Sequence, residues 1–225
     1  TTQTITYTQS SGSWLPTATM DGNGNVTQMA YDTGAWNMYV LTVTNAKGHT
    51  TTYTYDYVKS RLASETGPNA GSTTSYQYDG WGRLEKVIRP GDSEGTPTVK
   101  YEYCDTCSPL RITTSTIFQK ADGSLGYIPI LRWYNGLGQL IQENQATSTY
   151  TPTNAGEMRV TNLGYNAQRL QRYVTTPYTY TTTSAAAYIT PTSTISTTYV
   201  YDALGRVTTQ TNPDGTSVRT GYDGF

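Results

Sequence analysis

Tyrosine and polar β-branched residues alternate along this chain in a two-residue rhythm. The rhythm is clearest in four Tyr-x-Tyr pairs, Tyr53/Tyr55, Tyr76/Tyr78, Tyr101/Tyr103 and Tyr199/Tyr201. Residues two apart in a strand lie on the same face, so each pair predicts a strand face that carries two rings. Threonine and tyrosine favour half-buried strands, and no stretch shows a sustained helical period with caps. The pattern predicts an all-β fold.

The pattern also repeats over a longer distance. Eight tyrosines are each followed by Asp, Asn or Cys, at intervals of 24, 23, 25, 31, 31, 36 and 21 residues. They are Tyr31, Tyr55, Tyr78, Tyr103, Tyr134, Tyr165, Tyr201 and Tyr222. Self-similarity at such a period indicates a repeat array, in which each unit becomes stable by stacking on its neighbours.

Three copies of the repeat are the best preserved. Residues 78–84 read YDGWGRL, residues 134–140 read YNGLGQL, and residues 201–207 read YDALGRV. Their shared positions are an acid or amide after the tyrosine, a glycine three residues later, and a long polar residue next. These positions are filled by Asp79, Asp202, Gly82, Gly138, Gly205, Arg83 and Arg206, among others.

This pattern resembles the YD-repeat, or RHS-repeat, family of large secreted and cell-surface proteins. The resemblance covers the chain from about Tyr31 to its end and is weaker in three copies. Ser60 stands one residue late where glycine is expected, the copy at Tyr165 has lost its glycine, and Tyr103 is followed by Cys104.

The resemblance implies stacked antiparallel β-hairpins that form a spiralling sheet, a segment of a hollow shell or tube. We expect residues 1–225 to form a single array, with an irregular portion at 1–30 and repeats from about 31 to 225. The array is expected to be part of a longer protein. Its partners would be flanking repeats of the same polypeptide or identical copies in a filament or tube.

Turn chemistry divides each repeat into two strands. An Asp or Asn after the tyrosine can accept backbone N–H bonds, and the following glycine supplies a positive φ. Further hairpin turns are predicted at Asn23-Gly24, Asp122-Gly123 and 213–215 (PDG). If neighbouring hairpins stack in register, we expect the tyrosine rings of successive repeats to form a ladder of aromatic contacts.

Composition narrows the class of function. Of 225 residues, 45 are Thr and 21 are Tyr, against only 2 Phe, so burial must come largely from amphipathic rings and threonine methyls. The net charge is −1 with no basic cluster, which argues against a nucleic-acid partner. No apolar run reaches the length of a membrane-spanning helix. No cofactor is expected.

The only two cysteines, Cys104 and Cys107, form a C-x-x-C motif after strand residues. Redox motifs of this kind sit at a helix N-terminus, and a zinc site would need two more ligands. A disulfide, which suits an oxidising compartment, is favoured over two free thiols. Together with the resemblance, it indicates an extracellular or cell-surface location.

Catalytic and metal-binding residues are not expected. The single histidine, His49, follows a turn glycine and has no matching nucleophile motif. The repeat acids exchange with asparagine at Asn135 and Asn166, which a turn accepts and an ionising catalyst does not. A calcium site at Asp92 and Glu94 is a weaker alternative, because the spacing of known calcium loops is missing.

Sugar attachment is the remaining modification to consider. Asn25 heads the only N-glycosylation pattern, NVT. The insertions at 145–157 and 175–198 are rich in Thr, Ser, Ala and Pro. We favour a polar loop or extended strands at the rim over O-glycosylation for both.

Three functions remain. The first is a non-enzymatic structural role, as a wall segment of an extracellular shell, tube or filament. The second is a cell-surface carbohydrate-binding or adhesin module, in which exposed tryptophans hold surface glycans. The candidate tryptophans are Trp14, Trp36, Trp81 and Trp133. The third is a cocoon segment around a toxic payload that lies outside this chain.

Overall fold

The computed structural model describes residues 3–10, 13–33, 38–147, 156–182, 187–193 and 195–223. All regular elements in these ranges are β-strands, and none of these residues is helical. The prediction of an all-β fold of antiparallel hairpins is therefore confirmed. The chain forms two compact units, residues 1–99 and residues 100–225.

The first unit is a run of consecutive hairpins. Its strands are β1 (Thr4–Ser10), β2 (Ser13–Met20), β3 (Val26–Tyr31), β4 (Val40–Thr44), β5 (Thr50–Asp56), β6 (Arg61–Thr66), β7 (Thr73–Tyr78) and β8 (Leu84–Ile88). Each strand pairs antiparallel with the next one in the sequence. Strand β9 (Val99–Cys104) begins at the last residue of this unit.

The second unit continues the pattern with one branch. Its strands are β10 (Leu110–Gln119), β11 (Leu125–Tyr134), β12 (Leu140–Ala146), β13 (Gly156–Tyr165), β14 (Gln171–Thr175), β15 (Tyr178–Thr182), β16 (Ser196–Tyr201), β17 (Val207–Thr211) and β18 (Ser217–Arg219). Strands β10 to β13 pair in order. The first half of β13 pairs with β15 and its second half with β14, after which β14, β16, β17 and β18 pair in order.

A β-bulge marks most of the repeats. The register shifts by one residue immediately before Tyr31, Tyr55, Tyr78, Tyr134, Tyr165 and Tyr201. A bulge bends the strand, increases its local twist and re-aims a side chain. The same shift occurs before Tyr7, within the portion whose sequence looks irregular.

The apolar side chains that are fully buried among the described residues lie in the second unit, on one face of β11 to β13. They include Leu131, Trp133, Met158 and Val160, with Ile189 packed over them. Ile189 belongs to the segment 187–193, which is part of the insertion predicted to be a polar loop or extended strands at the rim. Strand β15 confirms the predicted extended strands for one part of this insertion. In another part, Ile189 packs on the buried face of the sheet and is not in a polar loop.

The expected ladder of tyrosine rings is wrong. Ring contacts join Tyr39 to Tyr55 and Tyr57, at centroid distances of 4.6 and 5.5 Å, but they do not join Tyr55 to Tyr78. Successive repeat tyrosines such as these two lie two strands apart, on β5 and β7. That separation is about 9.6 Å, beyond the range of roughly 4.5–7 Å in which aromatic rings interact.

Candidate functional site

The recurring site of this chain is the five-residue turn that follows a repeat tyrosine, here called the YD turn. In the copy at Asp79, the carboxylate oxygen Oδ1 accepts the backbone N–H groups of Trp81 and Arg83, both at 2.9 Å. Its second oxygen, Oδ2, accepts Nε of Arg83 at 2.7 Å. The backbone closes the hairpin, with the N–H of Gly82 donating to the carbonyl of Asp79 at 3.0 Å.

The copy at Asp202 reproduces this geometry. Oδ1 accepts the N–H groups of Leu204 and Arg206 at 2.9 Å, and Oδ2 accepts Nε of Arg206 at 2.7 Å. The turn glycines have the positive φ that their turn position requires, with values of 76° at Gly82, 76° at Gly138 and 79° at Gly205.

The copy at Asn135 replaces the ion pair with a neutral pair. Oδ1 of Asn135 accepts the N–H groups of Leu137 and Gln139 at 3.0 Å, and its Nδ2 donates to Oε1 of Gln139 at 3.0 Å. Asparagine therefore accepts the same two backbone hydrogen bonds as aspartate and also bonds the side chain that follows the turn glycine. This geometry gives the repeat acid a structural role.

Degenerate copies keep the amide or carboxyl acceptor and lose the glycine. Ser60 and Arg169 occupy the positive-φ position, with φ of 53° and 67°. Asp56 still accepts the N–H groups of Val58 and Lys59 at 3.0 Å, and Asn166 accepts the N–H of Leu170 at 2.9 Å. A non-glycine residue at positive φ is strained, so these two turns hold their shape through the side-chain acceptor.

Hydrogen bonding also lowers the pKa of two turn acids, Asp79 and Asp202. At Asp79 burial alone would raise the pKa, but bonds from the Arg83 backbone and guanidinium and from the Trp81 backbone outweigh it, so the pKa falls below 3.8. At Asp202 the backbone N–H of Arg206 is the largest cause of the same fall. Both acids are held as carboxylates.

The repeat tyrosines join one repeat to the one before it. Six of their hydroxyls donate to backbone carbonyls at 2.7–3.0 Å: Tyr31 to Pro16, Tyr55 to Val40, Tyr78 to Leu62, Tyr165 to Leu140, Tyr201 to Gln171, and Tyr222 to Val207. Five of the six acceptors are the first or second residue of the strand that follows the preceding turn, and Pro16 lies within β2. We call this contact the tyrosine latch.

The latch is the functional feature that the sequence analysis missed. A signal for it was present, because the chain has 21 Tyr and only 2 Phe and phenylalanine never takes the repeat position. Desolvation by burial raises the pKa of the latch tyrosines Tyr31, Tyr55, Tyr78, Tyr165 and Tyr201. The rings are thus kept neutral as hydrogen-bond donors.

Two of the repeat tyrosines are placed differently. Tyr103 lies in β9 immediately before the cysteines. Tyr134 ends β11, where it pairs with Leu110 on one side and with Leu140 on the other.

Neighbouring YD turns are also bonded to each other. Nε of Arg61 donates to the carbonyl of Gly82 at 3.3 Å, and Nζ of Lys59 donates to the carbonyl of Tyr78 at 3.0 Å. In the second unit Nε2 of Gln139 donates to the carbonyl of Arg169 at 3.0 Å. In both units, therefore, the side chain of the residue after the positive-φ position donates to the backbone carbonyl of the positive-φ residue in the next turn.

A buried amide network anchors the segment 187–193 on the second unit. The Gln142 side chain is fully buried; its Nε2 donates to the carbonyl of Ile189 at 2.6 Å, and its Oε1 accepts the N–H of Ile189 at 2.9 Å. Nε2 also donates to Oδ1 of Asn162 at 2.6 Å, and the amide of Asn162 donates to the hydroxyl of Tyr178. Asn144, on the same strand, is buried, and among the described residues neither of its amide atoms has a hydrogen-bond partner.

The other candidates from the sequence are placed as follows. Cys104 and Cys107 form a disulfide. His49 is exposed in a turn, and its backbone N–H donates to Asn45. The amide of Asn25 donates to the carboxylate of Asp21 at 2.9 Å in an exposed turn, so sugar attachment there would alter this bond.

The weak calcium hypothesis receives no support from geometry. Asp92 accepts the hydroxyl of Thr98 at 2.5 Å, whereas Glu94 is exposed and faces Lys86. Among the described residues, no group of three or more His, Cys, Asp or Glu side chains could hold a metal ion.

The tryptophans that the structure describes differ in exposure. Trp14 and Trp81 are exposed, with 66% and 85% of their surface accessible, whereas Trp133 is buried. Trp36 lies outside the described residues. In the part of the chain that the structure describes, no helix has the length and apolar character needed to cross a membrane.

These observations define a β-repeat protein in which six repeat tyrosines latch onto the preceding repeat and hydrogen bonds join neighbouring YD turns. The family model described as RHS Repeat matches residues 59–94 and 187–225. Both matched segments are RHS repeats, and the resemblance to the RHS-repeat, or YD-repeat, family is confirmed. No curated protein matches the chain.

Solved structures share the fold. One is the crystal structure of TcdB2-TccC3, with a TM-score of 0.71 and 16% identity over 93% of this chain. Another is TcdB2-TccC3 without its hypervariable C-terminal region, with a TM-score of 0.69 and 13% identity over 92% of this chain. This chain spans only 12% and 15% of the length of those two chains.

Proposed function

We propose that this chain is a non-enzymatic wall segment of an extracellular RHS-repeat shell, tube or filament. The tyrosine latch is the observation that carries the proposal. Six repeat tyrosines use their hydroxyls to bind the preceding repeat, so the feature that defines the repeat is devoted to continuing the array.

The chemistry of the repeat also favours a structural role. The carboxylates of Asp79 and Asp202 accept hydrogen bonds from the turn backbone and form ion pairs with Arg83 and Arg206. They exchange with Asn135 without loss of geometry. Catalysis by these groups would need a carboxylate that is free to exchange protons with a substrate, so they are better suited to holding a wall.

An extracellular location is supported by the disulfide between Cys104 and Cys107, since disulfides persist in oxidising compartments. The partners that we propose are flanking repeats of the same polypeptide or identical copies. Surface glycans are a further proposed partner, supported only by the exposure of Trp14 and Trp81.

A second candidate is a cocoon segment around a toxic payload. It is favoured by the fold shared with TcdB2-TccC3, and this chain would then form a stretch of the cocoon wall. Electron microscopy of purified native particles distinguishes the candidates. A closed capsule supports the cocoon and a long fibre supports a scaffold. A small monomer overturns both in favour of a binding module.

A further inference from the structure

The two ends of the hairpins use the same turn but carry different side chains at its tip. At one end are the YD turns. At the other end are turns such as those beginning at Asp21, Asn45 and Asn212, in which the glycine N–H likewise donates to the carbonyl of the first turn residue. Backbone geometry is therefore matched between the two rims of each unit.

The third residue of the turn differs between the rims, except in the copy at Asn166, where it is Gln168. In the YD turns it is large, apolar and exposed in four copies: Val58 (96% accessible), Trp81 (85%), Leu137 (60%) and Leu204 (78%). In the turns of the opposite rim it is Asn23, Lys47, Asp122 and Asp214. We call the first set the apolar tips.

The turn itself does not require apolar tips. Asp122 and Asp214 occupy the same position in turns that keep the glycine at φ of 82° and 84°. Single exposed apolar residues are ordinary on protein surfaces, but recurrence at one turn position on one rim is not explained by the fold. Exposed apolar patches of this kind mark interaction sites.

The first unit shows the apolar tips in their densest arrangement. Val58 and Trp81 lie on successive YD turns, which the bonds from Lys59 to Tyr78 and from Arg61 to Gly82 hold together. Met38, at the end of the loop before β4, is 60% accessible on the same rim. Successive YD turns are two strands apart, so their tips recur at about 9.6 Å.

The charges of this rim limit what can cover it. The carboxylate of Asp79 is paired with Arg83 at 2.7 Å, and Asp56 lies 3.9 Å from Lys59. The rim therefore carries little net charge, and a like rim would not be repelled. A protein partner matches several tips at once when it presents apolar side chains at the same spacing. A second row of YD turns has the same spacing, because its tips are also two strands apart.

We propose that the apolar tips form a docking rim for a second row of YD turns, which for the isolated chain is the rim of a second copy. The two rims would meet tip to tip in a two-fold arrangement, the commonest symmetry of self-association. This contact is distinct from the pairing of edge strands, because it uses turn residues and not backbone hydrogen bonds of β1 or β18.

Sedimentation velocity on the 225-residue chain over a range of concentrations tests the proposal. The variant Val58→Asp with Trp81→Asp should self-associate at least about tenfold more weakly than the natural chain, since a buried tryptophan is a typical binding hot spot. The matched control is Lys47→Asp, which makes the same change in net charge at the same turn position of the opposite rim. It should leave association unchanged.

Folding of the variant is checked by circular dichroism, and the turn is expected to accept aspartate as it does at Asp122 and Asp214. The proposal is overturned if the natural chain stays monomeric at all concentrations. It is equally overturned if the double variant associates like the natural chain, which would indicate edge-strand pairing, or if Lys47→Asp weakens association as much. The proposal is also overturned if the natural chain does not self-associate but binds phosphatidylcholine–phosphatidylglycerol vesicles, and the double variant does not. The apolar tips would then contact a membrane and not a protein.

Discussion

Removing a single hydroxyl measures what one tyrosine latch contributes to the array. Tyr53 and Tyr55 lie two residues apart in β5 and are both half-buried. The hydroxyl of Tyr55 donates to the carbonyl of Val40 at 2.9 Å, whereas the hydroxyl of Tyr53 makes no hydrogen bond within the described residues. Tyr55→Phe therefore deletes a latch, and Tyr53→Phe deletes a hydroxyl from the same strand without deleting a latch.

The expected loss follows from the net value of one hydrogen bond. A neutral intramolecular bond contributes about 0.5–1.5 kcal/mol. The ring of Tyr55 keeps its packing against Tyr39 in the Phe variant, so no cavity is added. We expect Tyr55→Phe to lower the free energy of unfolding by about 1 kcal/mol, equivalent to roughly 4–8 °C in Tm for a unit the size of residues 1–99.

Native-state hydrogen exchange localises the effect. Repeat arrays can open in parts, so the backbone amides of β3 to β6 should exchange about fivefold faster in Tyr55→Phe, with the amides of the second unit unchanged. Tyr53→Phe should leave exchange and thermal unfolding close to those of the natural chain. Equal effects of the two substitutions, or no effect of Tyr55→Phe, would refute the idea that the hydroxyl joins the repeats.

Four further outcomes are expected. Gly205→Val should cost about 1–2 kcal/mol in chemical unfolding, because valine is strained at a φ of 79°. Gly136→Ala, at ordinary φ with open space around its Cβ, should stay within roughly 0.5 kcal/mol; equal costs would contradict the turn assignment. The lowered pKa of Asp79 means that its stabilisation is present above its ordinary pKa of 3.8 and is lost as pH falls through the folded value. The double variant Asp79→Asn with Arg83→Gln, which copies the neutral turn at 135–139, should therefore show less loss of stability on acidification, and an unchanged acid profile would count against the ion pair. The raised pKa of Tyr55 and Tyr78 means that their stabilisation is present below the ordinary value of 10.0 and is lost as pH rises through the folded value. Absorbance at alkaline pH should then show a late-ionising class of tyrosines that ionises together with unfolding, and normal ionisation of every tyrosine in the folded chain would contradict it. Asn144→Leu should raise stability by about 1–2 kcal/mol, because the natural side chain buries two polar atoms that have no partner among the described residues; a loss of stability would indicate a partner for that amide.

Local chemistry is the part of this fold that the sequence could predict. The strands follow from a two-residue alternation, and the YD turns follow from Asp or Asn followed by glycine, as at Asp79 and Gly82. Both signals lie within a few residues of each other along the chain. Even the weak copy at Asn166 keeps its turn, because a side-chain oxygen next to the right backbone N–H is sufficient.

Contacts between repeats could not be derived in the same way. The acceptor for Tyr201 is the carbonyl of Gln171, 30 residues earlier, and Ile189 meets Gln142 across 47 residues. No local pattern specifies such a distance when insertions change the spacing. The expected ring ladder was wrong for a related reason, since one intervening strand suffices to separate the rings.

The nature of the acceptors explains how such an array keeps its shape while its sequence drifts. The tyrosine latch ends on a backbone carbonyl, so Pro16, Val40, Leu62 and Gln171 serve equally well as acceptors. The YD turn likewise directs its carboxyl or amide oxygen to backbone N–H groups. The donor tyrosine and the turn oxygen need a particular side chain, and the positive-φ position favours glycine, although Ser60 and Arg169 replace it in two copies. A repeat that depends on main-chain partners can therefore be copied many times with little sequence in common.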